Sequence, residues 1–539
     1  MVIRPNLQNF KTMQLSRRDT LKLLAASAPL LASARSLAQA ADHATLPAIA
    51  PGPFKGTRES LRAYEVPEWF ADAKFGIWAH WGPQSAPEYG DWYARNIYID
   101  KTDQYKHHVA TYGHPSKFGY KDILPTWNGK NFDPDHLLGL YKEAGAKYFM
   151  ALGVHCDNFD LWDSKHQPHW NSTKIGPKKD IVRLLHDATR KHGLRFGVSD
   201  HLWPSPKWMS VCRGADTAGD LKGVPYDGID KALTDLYPEY PYPDRKLDWD
   251  ETNLTEAWKK HYFARIKDLF DQFEPDIVYC DGHIPFEEYG LGLVAHLYNL
   301  SVRKNGGKVD TVYTSKRIED TEQNECVLDF ERAVPDKIWP RPWQICTCVG
   351  GWHYDRRKLG SDPKNLYKTP KRVIDMLVDT VSRNGCLLLN FPLRNDGTLD
   401  DQELAILAEI TAWMKTNNEG IYATRPWKIF GDGPRSKIQN DPKVKYNEAL
   451  RQDFDEQDVR YTKKGDDLFA FVTGVPDREA VIPSLALSKD HVSGKVQRVS
   501  LLGHGDPLAF THDNSGLRIT LPETKPSRHV LAFKINGLA

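Results

Sequence analysis

Between about residues 69 and 430, short apolar runs rich in β-branched and aromatic residues alternate with longer stretches of helical periodicity. The pattern predicts strands at Phe75–His80, Lys147–Val154, Arg195–Val198, Asp276–Cys280, Asp310–Thr314, Cys326–Phe330, Trp343–Thr347 and Cys386–Asn390. Helices are expected between them, for example over Pro134–Ala144, Asp180–His192 and Leu254–Phe273. Asp133-Pro134 and Thr369-Pro370 read as helix starts, a capping side chain followed by proline at the first helical position. Eight strand–helix alternations point to an α/β fold, a TIM-like (β/α)₈ barrel. An open doubly wound sheet is the alternative, but no GxGxxG or P-loop follows any strand.

The last hundred residues change period. After Trp427 there is no tryptophan, and apolar positions alternate. Val459-Arg-Tyr-Thr and Leu468-Phe-Ala-Phe-Val472 flank Lys463-Lys-Gly-Asp466, a hairpin signature. Lys495–Leu502, Leu517–Leu521 and Val530–Ile535 continue the alternation, so residues 440–539 are expected to form a C-terminal antiparallel β-sandwich domain behind the barrel of 69–430.

The N-terminus has its own pattern. Residues 1–40 carry Arg4, Lys11, Arg17, Arg18, Lys22 and Arg35 against one acid, Asp19. Ser16-Arg17-Arg18-Asp19-Thr20-Leu21-Lys22 precedes the apolar run Leu23–Ala34, and Ala38-Gln39-Ala40 offers a small-x-small cleavage site. This is the layout of a twin-arginine export signal, its apolar part too short for a membrane span of about 20 residues. A mature chain would begin near Ala41, with 41–68 as a lead-in segment, and would reside in the periplasm or outside the cell.

Composition narrows the classes. The whole chain of 539 residues holds 72 Lys+Arg and 71 Asp+Glu; without residues 1–40 the mature balance is 66 to 70, mildly acidic. That excludes a basic nucleic-acid binder. Seven cysteines without CxxC spacing indicate neither a zinc ribbon nor a disulfide framework. The 16 tryptophans are an excess that needs a use.

In a (β/α)₈ barrel, chemistry gathers at the carboxyl ends of the strands. Here those ends read His80-Trp-Gly, His155-Cys-Asp-Asn, Ser199-Asp-His201, Cys280-Asp281-Gly and Asp329-Phe-Glu331-Arg332. Metal-assisted hydrolysis through His80, His155, His201 and Asp281 is one option, but the HxH pair such barrels use is missing. Glycoside hydrolysis needs two carboxylates and neither metal nor cofactor. Asp281 and Glu331 can supply these, with histidines for hydroxyls and tryptophans for the apolar face of a sugar. Trp69, Trp78, Trp81, Trp92, Trp162, Trp203 and Trp352 lie near strand ends, and about a third of them are expected in the pocket.

Trp69-Phe-Ala-Asp-Ala-Lys-Phe-Gly-Ile-Trp-Ala-His-Trp-Gly82 resembles the opening signature of the family 29 glycoside hydrolases, the α-L-fucosidases. Asp91-Trp92-Tyr93, the segment from Gly145 to Lys165, Trp170–Asp180, Pro275–Gly282 and Asn384–Thr398 continue the similarity in order. The resemblance implies a retaining exo-α-L-fucosidase acting on a fucosylated glycan, with Asp281 as nucleophile. Glu331 is favoured as acid/base, with Asp329 and Glu287-Glu288 in reserve. It further implies a sugar site of His80, Asp91, Trp92, His155, Cys156, His201 and Trp352. Arg317 resembles an arginine the family sets near the nucleophile, a place Lys316 also fits. Two departures stand out: Cys156 replaces the second histidine of a pair, and Ser199-Asp200-His201 replaces a tyrosine-rich strand end. These leave a related sugar such as L-galactose or a decorated fucose as alternatives, and the competing class is a catalytically weak carbohydrate-binding protein using the same pocket.

Overall fold

A computed structural model describes residues 48–241, 243–317, 324–360, 366–437 and 447–538. The export signal expected over 1–40 lies outside them. No helix among the described residues is long and apolar enough to cross a membrane.

Eight parallel strands make the first sheet: β1 Phe75–Ala79, β2 Tyr148–Val154, β3 Arg195–Asp200, β4 Ile277–Cys280, β5 Val312–Ser315, β6 Val327–Leu328, β7 Trp343–Cys348 and β8 Gly385–Asn390. Their order is β6-β5-β4-β3-β2-β1-β8-β7. The two ends meet. Asp329 bridges Gln344, Phe330 N donates to Gln344 O at 2.8 Å, and Arg332 N donates to Cys346 O at 2.9 Å. The chain past β6 thus runs along β7 and closes the barrel.

Among the described residues, six helices of ten or more residues are α1 Pro134–Glu143, α2 Ile181–Lys191, α3 Glu256–Phe273, α4 Glu288–Lys304, α5 Pro370–Ser382 and α6 Asp401–Asn417. Asp133 caps α1 by accepting from His136 N at 3.0 Å, and Thr369 caps α5 by accepting from Arg372 N at 3.2 Å. The strict alternation read from the sequence fails between β6 and β7, where residues 329–342 contain no helix. Pro335, Pro340 and Pro342 remove the amides a helix would need.

Side-chain parity inside the barrel decides what reaches its mouth. Glycine at position 76 makes room for the Tyr148 ring, since a Cβ there would lie 2.3 Å from it. Tyr148 therefore points inward, and its hydroxyl donates to Gln344 Oε1 at 3.0 Å. Strict alternation from Tyr148 would carry Cys156, not His155, into the barrel. A register shift between Leu152 and Val154 reverses this, as a β-bulge does.

The C-terminal part holds two antiparallel sheets, β13-β16-β11-β10-β9 and β12-β15-β14. Their strands are β9 Arg425–Asp432, β10 Val459–Lys464, β11 Asp467–Val472, β12 Glu479–Ile482, β13 Arg498–Leu501, β14 Phe510–Asp513, β15 Gly516–Thr520 and β16 Leu531–Asn536. A shared core includes Tyr461, Leu468, Ile482, Leu517, Ile519 and Phe533. The hairpin between β10 and β11 turns at Gly465-Asp466, with Gly465 at φ +57. β9 begins at residue 425, so the sandwich sheet takes in the end of the span that periodicity gave to the barrel. The two parts are joined through α5. Its Asp379 is fully buried and meets Arg383 (3.2 Å), Arg451 and Arg460, the last on β10.

Candidate active site

The carboxyl ends of the strands open into a cavity of about 480 Å³. Among the residues that line it, Trp78, His80, His155, His201, Trp203, Tyr279 and Asp329 are buried, Trp92, Asp281, His283, Glu331, Arg332 and Trp352 are partly exposed, and Trp249 is exposed.

Asp281 follows β4. Its amide donates to Asp200 O at 2.9 Å, extending the strand pairing by one residue. The chain then turns at Gly282, φ +135, where a Cβ would press against Trp203 Nε1 at 3.2 Å. The indole of Trp203 in turn donates to Asp281 O at 2.9 Å. Oδ1 of Asp281 bonds Lys316 Nζ and is 3.4 Å from the Tyr279 hydroxyl. Oδ2 lies 3.0 Å from His201 Nδ1, close enough to attract but misaligned for a hydrogen bond. Burial alone would raise the Asp281 pKa. The Lys316 ammonium outweighs it, and with His201 holds the carboxyl well below the usual carboxylate range.

The same ammonium donates to Glu331 Oε2 at 2.7 Å. Against the desolvation that would lower it, Lys316 is raised well above its ordinary value by Asp281 and Glu331. Two hydrogen bonds meeting on one nitrogen hold the carboxylate oxygens to within about 5.5 Å of each other. Beneath Glu331 on the same side, Asp329 accepts from Gln344 Nε2 at 2.8 Å and Cys346 Sγ at 3.0 Å, and burial pushes it up to about 7. Arg332 faces Glu448 at 3.9 Å.

The other wall is made of imidazoles. Centroids of His80 and His155 lie 5.2 Å apart, and His353 stands 4.7 Å from His80. Burial first, then the neighbouring histidines, hold His80 and His155 well below the usual imidazole range, so both are neutral. Gln84 Nε2 donates to His155 Nδ1 at 2.9 Å, which leaves the proton on Nε2 facing the cavity. His353 Nδ1 is 2.6 Å from Asp91 Oδ1. Both nitrogens of His80, Nε2 of His201, Nε2 of His353 and the Trp78 indole N–H are buried without a hydrogen-bond partner. Such a set is costly unless a polar ligand satisfies it.

His80, Asp91, His155 and His353 each bring a ligand atom within 4.8 Å of the others, a set able to take a metal ion. Two of the four, Asp91 and His353, are already paired with each other.

Most residues singled out from the sequence converge here: Asp281, Glu331, His80, Asp91, Trp92, His155, His201 and Trp352 all line the cavity. Two do not. Cys156 is buried behind the wall, turned away by the β2 bulge, and burial with nearby carboxylates raises its thiol. Arg317 is exposed and outside the cavity; Lys316, one residue earlier, has the inward parity and takes its place. Glu287 and Glu288 are exposed, Glu287 pairing with Arg58 at 3.4 Å. Of the seven tryptophans near strand ends, Trp78, Trp92, Trp203 and Trp352 line the pocket. Trp69, Trp81 and Trp162 instead bond Asp310 O, Arg394 O and Asp268 elsewhere in the fold. Sequence reasoning missed His353 and Trp249. His353 adjoins the named Trp352, whereas Trp249 sits far from any strand end.

Carboxylates at this separation, in a pocket with open hydroxyl-reading groups and tryptophan walls, define a glycoside hydrolase. Comparison narrows the class. Residues 43–419 match the α-L-fucosidase family model and 451–536 the α-L-fucosidase C-terminal domain model. The chain belongs to the α-L-fucosidase family. It is 27% identical over 481 residues to human plasma α-L-fucosidase, covering 87% of this chain and 89% of that one. Mouse tissue α-L-fucosidase is 25% identical over 502 residues, with 89% and 93% covered. The crystal structure of Thermotoga maritima α-fucosidase superposes with a TM-score of 0.67 at 25% identity, covering 89% of this chain and all of that one.

Proposed function

We propose that the protein is a retaining exo-α-L-fucosidase that removes terminal α-L-fucose from a glycan in two displacements. The observation that supports this is Lys316 bonding Asp281 and Glu331 at once, which keeps the two bonded oxygens within about 5.5 Å, in the range of retaining enzymes and below the roughly 6.5–9.5 Å that inverting enzymes leave for a water. Asp281, kept ionised by Lys316 and His201, attacks the anomeric carbon and forms a glycosyl ester. Glu331 gives its proton to the departing oxygen, then takes one from the water that cleaves the ester. The unpartnered nitrogens of His80 and His201, with Asp91 oriented from behind by His353, bind the sugar hydroxyls, and the Trp352 and Trp92 rings cover its apolar surface.

The test is hydrolysis of an aryl α-L-fucoside followed by NMR. Wild type should release α-L-fucose first. Asp281→Ala should lose at least 10³-fold in kcat. Glu331→Ala should retain turnover of activated fucosides and recover rate with azide, giving a fucosyl azide of retained configuration. Absence of wild-type turnover on any fucoside or L-galactoside rejects the proposal.

Export by the twin-arginine route to the periplasm or beyond is part of this reading. It is supported by the Arg17-Arg18 segment, and by seven cysteines that are all free and buried, which suits a fold completed in a reducing compartment. Replacing both arginines with lysine should leave the enzyme in the cytoplasm on fractionation. Unchanged export rejects that route.

A further inference from the structure

The connection from β3 to α3 runs from His201 to Thr255, far longer than a barrel loop requires, and such loops usually carry function. At its far end Trp249 reaches the cavity wall. It is 39% exposed, the one tryptophan among the described residues more than a third open to solvent. Its ring contacts are Trp92 at 5.7 Å and 62° and Trp203 at 6.2 Å and 55°. Neither stacks flat against it.

This exposed indole is held in place. Its sequence neighbours Asp248 and Asp250 both grip the ammonium of Lys207, whose side chain is 3% exposed; the Asp250 contact is 2.6 Å. Before them, Arg95 donates to Asp244 O, and Arg245 pairs with Asp100 and donates to Ala215 O at 2.8 Å. After them, Glu251 meets His283 at 2.5 Å and accepts from Phe286 N at 2.8 Å. Leu247 takes φ +54, an unfavourable backbone for a branched side chain, and is thereby buried while Trp249 faces out. Ionic anchors on both sides and a strained turn serve to present one hydrophobic ring at the rim. Fixing an aromatic ring in advance removes the entropy cost of ordering it on binding.

Resting on the fucosidase reading above, we propose that Trp249 is the platform for the sugar beyond the cleaved bond. The imidazoles of His80 and His201 are buried, Asp281 beside them is 22% exposed, and Trp249 is the exposed residue of the lining, on the solvent side where the rest of the glycan must leave. The ligand class is a fucosylated glycan whose second residue is a pyranose with a continuous C–H face, as in galactose or N-acetylglucosamine. Trp249 selects between acceptor sugars and takes no part in bond breaking.

The experiment compares kcat/KM for α-L-fucosyl fluoride, which has no second sugar, with that for fucosyl-galactose and fucosyl-N-acetylglucosamine disaccharides. In Trp249→Ala the disaccharide-to-fluoride ratio should fall at least tenfold, through KM, and Trp249→Phe should recover most of it. An unchanged ratio, whether both substrates are unaffected or both decline together, overturns the proposal. So does a wild type that cleaves the fluoride but no disaccharide, which leaves the fucosidase reading standing. Only a wild type inactive on every substrate removes that reading as well.

Discussion

Lys316 is the residue on which the electrostatics of the site depend, and Lys316→Met tests it. The ammonium bonds both carboxylates, and all three side chains are only 16–22% exposed. Without it, Asp281 loses the attraction of that ammonium; at an effective dielectric near 20 a unit-charge attraction across about 4 Å is about 4 kcal/mol, which partial exposure reduces to about 3 kcal/mol, or roughly 2 pKa units. Asp281 starts from a depressed pKa, so its ionised form is lost only at strongly acidic pH. Removing the cation moves that loss upward. The acid limb of kcat/KM should shift up by about 2 pH units, with a fall of about 100-fold at a pH just above the wild-type limb. Lys316→Arg should keep the limb near its wild-type position. The assay is kcat/KM from pH 3 to 9 on a fucoside with an activated aryl leaving group, which needs no proton from Glu331, so that the profile follows Asp281. A variant profile superimposable on wild type, or lowered equally at every pH, would refute the charge argument and leave Lys316 a packing residue.

Three further outcomes are expected. Asp329 has its pKa raised by burial to about 7, so the folded state holds its proton more tightly than the unfolded chain, and that contribution to stability is lost as pH rises from about 4 to 7. Asp329→Asn should therefore gain stability over wild type as pH increases, by as much as about 4 kcal/mol at pH 8, measured by urea midpoints; a pH-independent difference would contradict it. Asp379→Ala leaves Arg383, Arg451 and Arg460 without their shared carboxylate, and should destabilise by about 3–5 kcal/mol in thermal or urea unfolding. A change below about 1 kcal/mol would mean the cluster is dispensable. Cys156→Ser should change KM on an aryl fucoside by less than about twofold, because the thiol lies behind the wall; a larger rise would return it to the sugar site.

What could be read from the sequence was whatever depends on local order. Period-2 runs, helix caps and the direction of parallel strands place His80, His155, His201 and Asp281 at one end of a barrel, because each strand hands its next residue to the same mouth. Parity was another matter. The bulge before Val154 sends His155 inward and Cys156 out, and the register of β5 puts Lys316 rather than Arg317 beside Asp281. A one-residue change of side is invisible where no partner strand is known. The prolines after β6 were legible, yet it took the backbone bonds to β7 to show that this segment closes the barrel and carries Glu331 on the Asp329 side. β9 could be given to the sandwich only by its pairing with β10. His353 and Trp249 arrive from irregular loops, placed by Asp91 and by Lys207 across gaps of hundreds and of tens of residues. The apolar pattern determined the architecture and the kind of chemistry at the strand ends, since burial acts residue by residue. Which side chains meet, and therefore which charges stabilise one another, was decided by long-range contacts that exist only once the barrel has closed.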